Sequence, residues 1–146
     1  MKILIITIGK VSSKDPEEKI IREYLKRIPW KIELKQFETE SSLKKTSEKM
    51  LKIIPKGYHP ILLNEIGKNY SSKKFMSYLN SLCNININKI AFLIGGAEGF
   101  HKNIFDNIKN TISLGNMTYS HKLAKIILVE QLYRTWTIMS NHPYSR

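Results

Sequence analysis

The chain has 146 residues, 42% hydrophobic and 25% charged, enough for one cored domain over residues 1–146 and little more. No apolar run reaches the ~20 residues of a membrane helix, and the single cysteine, Cys83, excludes an internal disulfide or a cysteine-built zinc site. Twenty-four Lys and Arg against twelve Asp and Glu give a net charge of +12, which favours polyanionic partners, nucleic acids foremost, although lysine-rich codon usage produces the same excess.

Lys2 to Ile8 is an isoleucine-rich run, the pattern of a strand buried on both faces. It lacks a basic leader and a small-residue cleavage site, so it is expected to be structural rather than a signal peptide, and the protein cytoplasmic. Asp15-Pro16-Glu17-Glu18 opens a helix, with Glu18 placed for a capping box and Ile20, Ile21, Tyr24, Leu25 and Ile28 on one face until Pro29. Ile32 to Phe37 is a second strand, and Ser41 to Ile54 a basic helix closed by Pro55 and Gly57. Pro60 to Leu63 is a third strand running into Asn64-Glu65-Ile66-Gly67-Lys68. A helix from Ser72 carries Phe75, Met76, Leu79 and Leu82, with Cys83 as ordinary packing at its end. Ile90 to Ile94 is a fourth strand, followed at once by Gly95-Gly96-Ala97-Glu98-Gly99. A short helix spans His101 to Lys109, a last strand and loop cover Ile112 to Tyr119, and the final helix runs from His121 to Met139.

Strands alternating with helices predict a mostly parallel sheet flanked by helices. The final helix is apolar around much of its circumference, more than one sheet face covers, and the surplus suggests a subunit interface. In such sheets ligands bind beyond the carboxyl ends of the strands. Three loops of unusual composition leave strands there: Asn64 to Lys68, Gly95 to Gly99 and Leu114 to His121. The glycines of the second permit close backbone approach to a ligand or, equally, a tight turn. Neither a dinucleotide fingerprint nor a phosphate loop is present, no histidine pair has metal-ligand spacing, and no nucleophile elbow occurs. His59 and His101 suit surface or capping roles, whereas His121 opens the last helix beside the third loop. The tail, Asn141-His142-Pro143-Tyr144-Ser145-Arg146, gathers aromatic, hydrogen-bonding and cationic groups that are able to stack on a base and hold a phosphate.

Four segments, Phe92–Gly99, Met117–His121, Val129–Trp136 and Asn141–Tyr144, together with Leu63–Lys68, resemble the ribosomal RNA large-subunit methyltransferase H family of the SPOUT superfamily. The resemblance implies an α/β fold with a C-terminal trefoil knot, a homodimer, and methyl transfer from S-adenosylmethionine to N3 of a pseudouridine in large-subunit ribosomal RNA on the assembled ribosome, without a metal. By motif, Leu63, Gly95, Leu114, Gly115, Asn116, Met117, Thr118 and Tyr119 then hold the cofactor. Arg134, His142 and Tyr144 become catalytic, and His121, Arg134, Tyr144 and Arg146 contact RNA. The sequence departs from the family pattern where Ser120 replaces proline, Lys125 arginine and Ser145 histidine. A serine is no base at neutral pH, which leaves His142, Arg134 or solvent to handle the N3 proton. A non-catalytic ribosome assembly factor on the same scaffold is the rival reading, and a flavodoxin-like nucleotide hydrolase a weaker one.

Overall fold

The isoleucine-rich run becomes strand β1 (Lys2–Ile8), with six of its seven residues buried. The computed structural model describes residues 1–9 and 14–145. A strand buried this deeply needs neighbours at both edges and cover on both faces. It lies between β2 (Lys31–Phe37) and β4 (Lys89–Ile94) in a five-stranded sheet ordered β2-β1-β4-β3-β5, every pairing parallel. Strand β3 spans His59–Asn69 and β5 Thr111–Ser113.

Alternation along the strands sends side chains to two separate cores. On one face Ile3 and Ile5 of β1, Ile61 and Leu63 of β3, and Ile90, Phe92 and Ile94 of β4 pack under helices α1 (Pro16–Leu25), α3 (Ser72–Asn84) and α5 (His121–Met139). On the other, Leu4, Ile6, Leu62, Ala91 and Leu93 meet Met50 of α2 (Leu43–Ile53) and Ile104 of α4 (Asn103–Asn107). Helix α5 lies between α1 and α3, over β1 and β4. That central position buries Ala124, Leu128, Val129, Leu132 and Tyr133 within one chain. Its apolar surplus is therefore smaller than the sequence suggests: Leu123 and Met139 are exposed, Ile127 and Ile138 half-buried. Among the described residues no helix is long and apolar enough to cross a membrane.

Two expectations about α1 fail for one reason. Ile20 is exposed, and Glu18, placed by sequence for a capping box, is buried. The carboxylate turns inward to meet Lys125 of α5 at 2.5 Å. A fully desolvated cation outcompetes a helix-end amide for a carboxylate, and the rotation that buries Glu18 and Ile21 leaves Ile20 in solvent.

Strand β3 also runs longer than expected. Its first half pairs with β4 as far as Leu63↔Ile94. Beyond that point it continues by pairing with β5, and both Leu63 and Lys68 register on Ile112. The intervening Asn64–Gly67 segment therefore bulges out of the ladder. Gly67 makes the return possible: a Cβ there would stand 2.6 Å from the Ile112 carbonyl carbon.

Candidate active site

All strands being parallel, their carboxyl ends share one edge of the sheet, and the three loops singled out by composition meet there. They enclose a cavity of about 540 Å³. One wall is Leu63–Ile66 of β3, the second Ile94–Phe100 after β4, and the third Ser113–Gly115 and Met117–Ser120 between β5 and α5. His121 and Ala124 close the floor from the first turn of α5, and Phe105 reaches in from α4.

Each wall is braced locally. Asn64 Oδ1 accepts the Ile66 backbone N–H at 3.0 Å, shaping the bulge. Ser113 Oγ donates to the Gly115 carbonyl at 2.6 Å and accepts the Gly115 N–H at 3.1 Å, holding a glycine whose φ is +144°. Thr118 Oγ1 donates to Glu65 Oε2 at 2.6 Å, tying the third wall to the first. Gly95 is held for a reason within the chain, since a Cβ there would lie 2.8 Å from the Gly99 carbonyl oxygen. Ser120, which stands in place of a family proline, caps α5 by accepting the Leu123 N–H at 3.4 Å.

His121 presents its imidazole to the cavity, with Nε2 beside Gly9 at the end of β1, where an added Cβ would be 3.5 Å away. Burial, reinforced by the nearby Lys122 and Lys125 charges and opposed by Glu17, holds its pKa below the ordinary 6.5. The ring is therefore neutral at pH 7.

The remaining candidates are placed differently. Leu63, Gly95, Leu114, Gly115, Met117, Thr118 and Tyr119 line the cavity together with His121. Asn116 does not line it; its Oδ1 accepts from Asn69 Nδ2 at 3.2 Å. Arg134, His142 and Tyr144 lie elsewhere, since a rise of ~1.5 Å per residue sets Arg134 ~20 Å along α5 from His121. The tail forms a 3-10 turn, Pro143–Ser145, against the end of α5. Tyr144 packs edge-on to Tyr133 with ring centroids 4.6 Å apart, and its hydroxyl reaches Glu130 at 3.2 Å. Arg134 meets the same Glu130 carboxylate through Nε at 3.1 Å and Nη2 at 2.6 Å, with its guanidinium 5.3 Å from the Tyr144 ring centre. Hydrogen bonding with Tyr24 and partial burial push the Tyr144 phenol up to about 12, so it remains a donor. His142 packs on Trp136 at 5.5 Å. Arg146 lies outside the described residues.

Sequence reasoning missed two members of these clusters. Glu65 meets a partner 53 positions away, which no local pattern signals. Glu130 sits four residues before Arg134 on one helix, a spacing that does signal an ion pair.

A parallel α/β sheet with a glycine-walled cavity at its carboxyl edge, continuing into a long final helix, defines the class. A family model described as "Predicted SPOUT methyltransferase" matches residues 1–145, and the chain belongs to the SPOUT methyltransferases. Curated relatives narrow the comparison. The ribosomal RNA large subunit methyltransferase H of Christiangramia forsetii is 33% identical, covering 99% of this chain and 98% of its own. Its namesakes from Parabacteroides distasonis and Polynucleobacter asymbioticus are 34% and 35% identical over 99% and 97% of this chain.

Proposed function

We propose that this protein is an S-adenosylmethionine-dependent methyltransferase of large-subunit ribosomal RNA, acting on N3 of a pseudouridine in the cytoplasm. The observation that carries the proposal is the meeting of three loops, far apart in sequence, around one cavity in a chain that aligns end to end with enzymes named for that RNA.

The residues present fit the cofactor. The volume lies within the ~300–1,000 Å³ that small-molecule sites occupy. Leu63, Leu114, Met117 and Ala124 offer apolar surface for a base, and Gly95, Gly96 and Gly115 add no side chain to the lining of the cavity. When bound, the cofactor supplies a methyl group already activated by its sulfonium, so no covalent nucleophile is required. The chain's task is to hold N3 in line with that methyl, exclude water and take up the N3 proton.

Dimerisation belongs to the same proposal. Leu123, Ile127, Ile138 and Met139 form the uncovered apolar part of α5. In an isologous dimer, antiparallel packing of two such helices sets the tail end of one beside the cavity end of the other. That arrangement brings the Arg134–Tyr144 cluster to a cavity from which it is remote in its own subunit. A trefoil knot is part of the proposal as well; its support is the return of the chain from β5, at the sheet's edge, to α5 over the sheet's centre.

The test is transfer of labelled methyl from S-adenosylmethionine to intact ribosomes and to naked ribosomal RNA, with the modified nucleotide mapped. Label at N3 of a large-subunit pseudouridine is the expected result. A protein that binds ribosomes but neither binds the cofactor nor transfers label would be an assembly factor instead.

A further inference from the structure

We propose that His121 accepts the N3 proton during methyl transfer, a role that rests on the function proposed above. Ser145, which stands where the resemblance places a histidine, is no base at neutral pH, so the proton passes to another side chain or to solvent. Among the described residues His121 contributes the one imidazole that lines the cavity. No hydrogen bond engages either of its ring nitrogens among the described residues, and Nε2 lies at the cavity's β1 side.

The surrounding charges keep the ring available as a base. Lys122, next to it on α5, is paired with Glu17 of α1 at 2.7 Å, and Lys125, one turn on, with the buried Glu18 at 2.5 Å. The two carboxylates that satisfy these lysines are thereby kept from pairing with the imidazole and stabilising its protonated form. Across the cavity, Glu65 is engaged by Thr118, and Glu98 is an exposed carboxylate. Burial and the two lysines hold the ring neutral at pH 7. The rival groups are occupied: His142 accepts the Tyr144 N–H through Nδ1 at 3.3 Å, and Arg134 is held by Glu130.

The step balances as follows. The N3–H bond breaks and its proton passes to the imidazole. The freed electron pair forms the N–C bond to the methyl group, the C–S bond breaks with its pair returning to sulfur, and solvent then removes the proton from His121.

The experiment compares wild type, His121→Asn and His121→Ala in single-turnover transfer from pH 5 to 9, with saturating cofactor and ribosomes. Calorimetry of S-adenosylmethionine binding and an NMR titration of the His121 ring in the protein alone accompany it. Wild type should be flat above pH 7 and lose rate on an acid limb centred below 6.5. His121→Asn should lose ~10²–10⁴-fold in rate together with that limb. Cofactor affinity should be unchanged, and free imidazole should partly restore His121→Ala. A ring that titrates above 7, or a variant whose rate and pH profile match wild type, overturns the role. Reduced cofactor affinity with full rate at saturation would make His121 a cofactor contact and overturn it too. If wild type itself transfers no methyl to any ribosomal RNA, the function beneath is wrong and this role falls with it.

Discussion

Lys125 is 3% exposed at its side chain and Glu18 8%, and each is the other's partner across the α1–α5 contact. Removing one member leaves the other charge buried without compensation, at a cost of about 3–5 kcal/mol, whereas replacing both with apolar groups is near neutral. Lys125→Met should therefore lower the urea midpoint strongly, and Glu18→Leu combined with Lys125→Met should recover most of the loss. A double variant as unstable as the single would show that packing, not charge, sets the energy. At Gly67 the constraint is steric. The Ile112 backbone has no flexible end to move aside, so Gly67→Ala must displace β5, with an overpacking cost of about 1–3 kcal/mol. Because β5 leads directly into the third wall of the cavity, the same substitution should weaken cofactor binding as measured by calorimetry. Gly95→Val is a poorer probe of the cavity. The added carbon meets Gly99 before it meets any ligand, so lost affinity there reports a distorted turn as readily as a blocked site.

Helix α5 shows what an element reveals that its residues do not. Val129 and Ile127 look alike in sequence, but Val129 is fully buried within its own chain and Ile127 is half-buried and outside the core clusters. Val129→Asp should unfold the monomer. Ile127→Asp should leave circular dichroism unchanged while converting a dimer to monomer, as read by light scattering; a wild type that is monomeric at micromolar concentration removes the dimer from the proposal. The bounds of α5 were legible because Ser120 caps its start and polar residues follow its end. The three cavity loops were legible for a topological reason: in a parallel sheet every strand exits at the same edge, so unusual loops after strands converge. What sequence could not show depended on distant partners. The extension of β3 needs β5 beside it, the burial of Glu18 needs Lys125, and the placement of the tail needs Glu130 and Tyr133 to receive Tyr144.

At the scale of the whole molecule, two properties follow from its titratable groups. His59 and His121 both have pKa values lowered by burial. Because the unfolded chain binds protons at these positions first, their contribution to stability is complete above about pH 6.5 and is lost as pH falls through the lower folded values. Thermal melts should therefore show Tm falling below pH 6.5, and His59→Asn combined with His121→Asn should flatten that part of the profile.

The net charge of +12 makes the other property. If it reflects codon bias alone, the lysines bear no relation to RNA and affinity will not depend on their neutralising phosphates. If it serves binding, each phosphate neutralised releases counterions, and log affinity falls linearly with log salt at about −0.7 per phosphate for single strands. A contact that neutralises about four phosphates gives a slope near −3. The cofactor site offers an internal control, because its lining contains no lysine or arginine among the described residues and binding there should not show the steep salt dependence of phosphate contacts. Measuring both affinities between 50 and 200 mM potassium chloride, roughly the range over which phosphate contacts weaken steeply, separates the cases. A steep RNA slope with a shallow cofactor slope assigns the charge to RNA binding, and two shallow slopes assign it to composition.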